Sequence, residues 1–281
     1  MSDFISLPQI SYDADDFDEK FMASLHQYGF AAVIDHPLDG ERIGRIYAEW
    51  LTFFSSGMAV NYRMDPIKQD GYFSLCDAEH AKGYSERDYK EYFQFYPWGR
   101  CPEALQTDLA DHFNAASELG AELLGCIAKG LPDTVTANLS EPLRGMIQGS
   151  EQSMLRVLHY PPIPAGVPVL RAAPHEDINL LTLLPAADGP GLELKVRSGE
   201  WVAVPHSPGQ LIVNIGDMLQ EATGGYLPST SHRVATPGKT EDAVSRMSLP
   251  LFLHPRPNVV LSSRYTAGQY LMQRLDELGV V

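Results

Sequence analysis

Cysteine is scarce in this sequence: three among 281 residues, Cys76, Cys101 and Cys126, an odd number with no close pair. That spacing supports neither a disulfide framework nor a thiolate zinc cluster, so the three read as structural thiols. Long apolar runs are missing too. None approaches the roughly 18 to 20 residues that a bilayer-spanning helix needs, and Met1-Ser2-Asp3-Phe4 has no basic-then-apolar leader pattern. The expectation is a chain with no membrane partner, located in the cytoplasm. Positive charge is also short: 21 Lys and Arg against 36 Asp and Glu leave a formal net charge of −15. Binding to nucleic acid draws on Lys and Arg to neutralise phosphates, so no nucleic-acid partner is expected. There is no His-Glu-x-x-His, which sets a hydrolytic zinc enzyme aside, and no internal repeat.

What is present divides near residue 150. The first half reads mainly as helices. Phe17, Phe21, Met22 and Leu25 recur at helical spacing between Asp16 and Tyr28, with Gly29 placed to end the helix. A short apolar strand, Phe30 to Ile34, follows. Ile43, Ile46, Tyr47, Trp50, Leu51 and Phe54 then mark one face of a helix starting near Asp39. A longer helix is predicted from Pro102 to Lys129, stopped by Gly130 and Pro132. From Ser153 onward the pattern changes to short apolar or alternating runs, such as Leu192 to Val196 and Leu211 to Ile215, separated by turns such as Asp188-Gly189-Pro190-Gly191. Closely spaced antiparallel strands in a sandwich or jelly roll fit that punctuation. Pro161 to Pro168 reads as a loop, and Tyr270 to Leu278 as a closing helix.

Pro174-His175-Glu176-Asp177 carries the chemistry. On extended backbone, residues i and i+2 point to one face, so His175 and Asp177 can reach one ion. His232, fifty-five residues after Asp177, supplies a second imidazole. Two imidazoles and one carboxylate form a facial set that leaves half of an octahedral sphere open, the pattern of a non-haem iron(II) oxygenase. His-x-Asp alone occurs by chance often; the company it keeps raises its weight. Asp217, in Asn214-Ile215-Gly216-Asp217, is read as a turn residue and not a ligand. His159, His206 and His254 have no partner at ligand spacing and read as structural.

From His175 through Glu193, Gly199-Glu200-Trp201, Pro208-Gly209, Asn214-Ile215-Gly216-Asp217 and His232-Arg233-Val234 to Arg246-Met247-Ser248, the order and spacing resemble the isopenicillin N synthase-like family of iron oxygenases. Tyr28-Gly29-Phe30, Asp35-His36 and Lys90-Glu91-Tyr92-Phe93 extend a fainter similarity into the first half. The resemblance implies a mainly β fold with flanking helices: a double-stranded β-helix (jelly roll) over 151–281, preceded by a helical N-terminal region, 1–150, that packs on the core. It implies Fe(II) held by His175, Asp177 and His232, with 2-oxoglutarate and O2 as co-substrates. Arg246 and Ser248 look like the family's Arg-x-Ser, which holds the distal carboxylate of 2-oxoglutarate. Tyr160, in His159-Tyr160-Pro161-Pro162, resembles the tyrosine that donates a hydrogen bond to it.

Two departures stand out. Leu158 occupies a position where plant members carry Asn, and Gly238 to Asp242 lengthens a loop. Tyr72, Tyr84 and Arg171 are candidates for the substrate pocket wall. The implied reaction oxidises a small molecule by hydroxylation, desaturation or ring closure, releasing succinate and CO2. An oxidase of the same fold that does not use 2-oxoglutarate, and a non-catalytic small-molecule binding protein on the same scaffold, remain alternatives at this stage.

Overall fold

A computed structural model describes residues 7–77, 88–163, 170–235 and 244–277. In chain order the strands are β1 (Gln9–Ser11), β2 (Phe30–Ile34), β3 (Gly71–Phe73), β4 (Glu91–Phe95), β5 (Met154–Tyr160), β6 (Ala172–His175), β7 (Leu181–Pro185), β8 (Leu192–Lys195), β9 (Trp201–Ala203), β10 (Leu211–Ile215), β11 (His232–Val234), β12 (Arg246–Ser248) and β13 (Leu251–Leu253). The helices are α1 (Phe17–Tyr28), α2 (Gly40–Ser55), α3 (Glu103–Gly130), two single turns α4 (Asp133–Thr136) and α5 (Leu143–Met146), α6 (Asp217–Ala222) and α7 (Ala267–Glu277).

Local chemistry explains the helix boundaries. Gly29 ends α1 at φ 70°, the left-handed region that favours glycine, and its N–H returns to the Leu25 carbonyl at 2.8 Å. Asp39 caps α2 by accepting from the Arg42 N–H at 3.0 Å. Among the described residues, no helix is long and apolar enough to cross a membrane, and Cys76, Cys101 and Cys126 are all free thiols.

Two facing sheets form the jelly roll. The larger runs β1-β2-β10-β7-β13-β5-β4-β3, with β12 also paired to β5; the smaller runs β6-β11-β8-β9. Four of the larger sheet's strands come from the first 150 residues. Among them the sequence picks out only Phe30–Ile34, an unbroken apolar run; β1 and β3 are three residues long, and β4, five residues like β2, is interrupted by Gln94. The outer face of the large sheet packs against α1, α2 and α3 through a core that includes Trp50, Phe93, Leu123, Leu155 and Leu183. Its inner face, with Phe73, Tyr92, Leu158 and Tyr160, looks toward Ala172 and Val234 of the small sheet. Alternation along β5 therefore decides what each residue can reach: Leu155 and Val157 turn to the helices, Leu158 and Tyr160 inward.

Candidate metal centre and adjoining pocket

His175 closes β6 and His232 opens β11, and the two are direct partners in the antiparallel register. Pairing brings their rings side by side, with centroids 4.4 Å apart. Asp177 follows two residues after His175. One donor atom from each of the three side chains lies within 4.8 Å of the other two, the one such cluster of His, Cys, Asp or Glu among the described residues. His232 Nε2 is 3.7 Å and His175 Nε2 3.9 Å from Asp177 Oδ1.

The surroundings aim these atoms. A carbonyl can only accept, so the contacts of His175 Nδ1 with Ala173 O (2.8 Å) and of His232 Nδ1 with Thr230 O (3.1 Å) place the ring proton on Nδ1. Each Nε2 keeps its lone pair for a metal. Asp177 Oδ2 accepts from Thr182 Oγ1 at 2.6 Å and from Asn214 Nδ2 at 2.8 Å, which turns Oδ1 toward the imidazoles. The edge of the His232 ring also meets Phe30, centroid to centroid 5.4 Å.

Charge states fit a ligand set. Burial, reinforced by the neighbouring His232, pushes His175 down to about 4, so its imidazole is neutral near pH 7. Burial pushes Asp177 upward, but the two imidazoles and the hydrogen bonds from Asn214 and Thr182 prevail and hold it below the usual carboxylate range. An ionised carboxylate beside two imidazoles whose Nε2 atoms are left free of hydrogen bonds to the backbone, open on one side, suits a divalent ion of the iron type.

A cleft of ≈ 490 Å³, mouth included, opens from this cluster between the sheets, and His175, Asp177, His232, Tyr160, Arg246 and Ser248 all line it. The pairing of β12 with β5 sets Arg246 opposite Tyr160 and Ser248 opposite Leu158. The Arg246 guanidinium lies 5.2 Å over the Tyr160 ring and donates from Nε to Gly189 O at 3.1 Å, while the buried Nη1 has no partner. A buried guanidinium N–H left unpaired is costly, and a carboxylate is its best-matched acceptor. Asp188 anchors β12 by accepting from the Met247 N–H at 2.7 Å. Burial raises the Asp188 carboxyl above its ordinary value.

Other expected positions fall elsewhere. Tyr72 faces the helical layer, near Phe54, and donates its hydroxyl to Glu91, which also accepts from His159 Nδ1 at 2.7 Å. Arg171 is buried just before β6, donating to Val244 O at 2.8 Å. Neither lines the cleft. Tyr84 and the Gly238 to Asp242 insertion lie outside the described residues, as does most of Pro161 to Pro168. Asp217 opens the short helix α6 where a turn was expected; its N–H donates to Asp177 O at 2.7 Å, so it braces a ligand's backbone and its carboxylate is not in the cluster. Thr182, Asn214, Asp188 and Gly189 carry positioning roles that motif reading did not single out. Asn214 and Thr182 gave a signal, each as the one polar residue in an otherwise apolar strand.

Comparison with known proteins points one way. Residues 151–255 match the model of the 2OG-Fe(II) oxygenase superfamily. A solved structure from Shewanella oneidensis, described as a candidate oxygenase, is 46% identical, superposes with a TM-score of 0.90, and is covered over 100% of its length by 99% of this chain. A second, from Caulobacter crescentus and assigned to the 2OG-Fe(II) oxygenase family, is 31% identical with a TM-score of 0.78, covering 96% of this chain and 98% of its own. Mugineic-acid 3-dioxygenase of Hordeum vulgare is 26% identical over 92% of this chain and 76% of that protein.

Proposed function

The chain belongs to the 2OG-Fe(II) oxygenase superfamily and is an Fe(II)- and 2-oxoglutarate-dependent dioxygenase acting on a small molecule; from that premise we propose which residues do the work. His175, Asp177 and His232 hold iron(II). Arg246 and Ser248 hold the distal carboxylate of 2-oxoglutarate, and Tyr160 borders it. The observation that carries this reading is the pairing of a preset donor triad with a buried, unpartnered Arg246 Nη1 on the same cleft. Iron(II) held by His175, Asp177 and His232 would supply O2 activation coupled to decarboxylation of 2-oxoglutarate to succinate and CO2, with oxidation of the small molecule at a C–H bond.

The side chains contribute geometry. Thr182 and Asn214 fix the carboxylate rotamer of Asp177, and the Ala173 and Thr230 carbonyls fix the two imidazole tautomers. Arg246, held by Gly189 O and stacked on Tyr160, offers its remaining N–H groups to a carboxylate. Phe30, Leu158, Leu184 and Phe252 line the same cleft with apolar surface and limit the water that reaches it. No side chain is needed as a general base.

Leu158 in place of Asn removes one polar neighbour from the cleft. An oxidase independent of 2-oxoglutarate would leave Arg246 Nη1 without a purpose, which favours the 2-oxoglutarate reading. The motif order from His175 to Ser248 supports the isopenicillin N synthase-like branch. The free thiols support a reducing, cytoplasmic location. The test is succinate formation coupled to 2-oxoglutarate consumption, with iron(II) under air, screened over amino acids, short peptides and secondary metabolites. A substrate that stimulates both is the expected result. Oxidation of a substrate without any 2-oxoglutarate consumption would overturn the reading.

A further inference from the structure

The strand that carries Arg246 and Ser248 is short, and a polar network outside the cleft holds the residue that precedes it. β12 has three residues and, among the described strands, pairs with β5 alone. The chain enters it from the surface: Val244 is 61% exposed and Arg246 only 4%. Ser245 stands between them. Two contacts tie down this entry, the Val244 carbonyl accepting from Arg171 Nη2 at 2.8 Å and the Ser245 hydroxyl meeting His159 Nε2 at 2.5 Å. Asp188 holds the strand farther along, through the Met247 N–H.

Strand alternation explains why the Ser245 contact forms on the side away from the cleft. Met247 is the direct partner of His159 and packs in the helix-side core, so Ser245, two residues earlier, faces that side too, while Arg246 and Ser248 face the cleft. His159 is itself fixed from two directions. Its Nδ1 donates to Glu91 Oε1 at 2.7 Å, the other oxygen of Glu91 accepts from the Tyr72 hydroxyl, and the Phe54 ring of α2 stacks on the imidazole with centroids 5.5 Å apart. Tyr72, His159 and Phe54 are all buried. Polar groups placed between a sheet and its helices carry a desolvation cost that apolar residues would avoid, and a bonded network returns that cost as rigidity. Ser245 does not line the cleft, so the network acts on the chemistry only through the neighbouring Arg246.

We propose that His159 is a positioning residue for 2-oxoglutarate: through Ser245 it fixes the entry of β12, and with it the aim of Arg246 and Ser248 into the cleft, while Glu91 and Tyr72 hold its ring in place. The effect on 2-oxoglutarate rests on Arg246 and Ser248 as the co-substrate clamp; the anchoring of β12 does not. None of His159, Ser245, Glu91 and Tyr72 lines the cleft or belongs to the donor triad, so iron(II) binding should not depend on them.

The test is a double-mutant cycle. Ser245→Ala removes one hydroxyl at a half-buried position, and His159→Asn keeps a polar group for Glu91 but is too short to reach Ser245. Each should weaken 2-oxoglutarate binding by about 3- to 10-fold, the range of one neutral hydrogen bond, read from the charge-transfer absorption of the anaerobic iron(II) complex. The double variant should bind no worse than the weaker single one, because both changes remove the same contact. Ser245→Thr, which keeps the hydroxyl, should restore the affinity, and iron(II) affinity by chelator competition should be unchanged throughout. Wild-type 2-oxoglutarate affinity in Ser245→Ala, full additivity in the cycle, or an equal loss of iron affinity overturns the proposal. Hydrogen exchange of the metal-free protein reads the anchoring by itself: amides of β12 should exchange faster in Ser245→Ala, and those of α3 at the wild-type rate. Unchanged exchange at β12 overturns the anchoring. If Arg246→Ala leaves the 2-oxoglutarate affinity unchanged, the clamp assignment fails, and with it the effect on 2-oxoglutarate, while the exchange result decides the anchoring separately.

Discussion

Replacing Asn214 with leucine probes the positioning of the metal ligands without touching any of them. Asn214 Nδ2 and Thr182 Oγ1 donate to the same oxygen of Asp177, at 2.8 and 2.6 Å, in a buried setting. Hydrogen bonds to charged groups contribute about 1.5–3 kcal/mol. If that energy serves to hold Asp177 ionised and aimed at the imidazoles, removing one donor should weaken iron(II) binding by about 10- to 100-fold, as losses of such supporting contacts commonly do. Leucine has a similar volume, so the strand should stay packed while the carboxylate loses a partner. The assay is anaerobic competition for iron(II) against a colorimetric chelator, alongside urea unfolding of the same preparation. Thr182→Val should shift affinity the same way, and the double variant should fall short of the sum because both donors share one acceptor. A folded Asn214→Leu protein with wild-type iron affinity would refute the reasoning.

Arg246→Ala should raise the apparent Kd for 2-oxoglutarate at least about 30-fold, some 2 kcal/mol, the lower range for truncating a buried charged contact, with iron affinity intact; an unchanged Kd transfers the role to another cation. Gly216→Ala would drive a Cβ into the backbone of Asn179, at the start of α6. It should cost about 1–3 kcal/mol of stability and loosen the Asp217 N–H contact behind Asp177; a native urea midpoint counts against that packing. Burial pushes His112 and His254 down to about 4. Both are neutral in the folded chain, so as pH falls from about 6.5 toward 4 the unfolded state takes up protons first, and each costs about 1.4 kcal/mol per pH unit in that window. Metal-free protein should therefore lose stability over that range, less steeply in His112→Gln, and identical urea midpoints at pH 7 and pH 4.5 would refute it.

Much of this was legible from residues alone, for identifiable reasons. Long amphipathic helices such as α2 and α3 announce themselves because burial repeats over several turns. His175 and Asp177 are readable because strand geometry puts i and i+2 on one face. His232 was identified only by the motif around it, since its pairing with His175 is a tertiary fact. What escaped is short or non-local. β4 joins the large sheet through β5, far along the chain, and carries β3 with it at the edge, and Tyr72 proved to face the helices because its strand register, not its aromatic character, decides its side. Thr182 and Asn214 stand out only as single polar residues in apolar strands, and Asp188 as a turn residue, until folding brings their polar atoms to Asp177 and β12.

The assignment of iron to three named side chains is tested most directly by anaerobic titration of the protein with iron(II) and 2-oxoglutarate, followed by visible charge-transfer absorption. The wild type should develop the band to one equivalent of iron, while folded Asp177→Ala and His232→Ala proteins should not. An undiminished band in both variants would contradict His175, Asp177 and His232 as the metal's ligands.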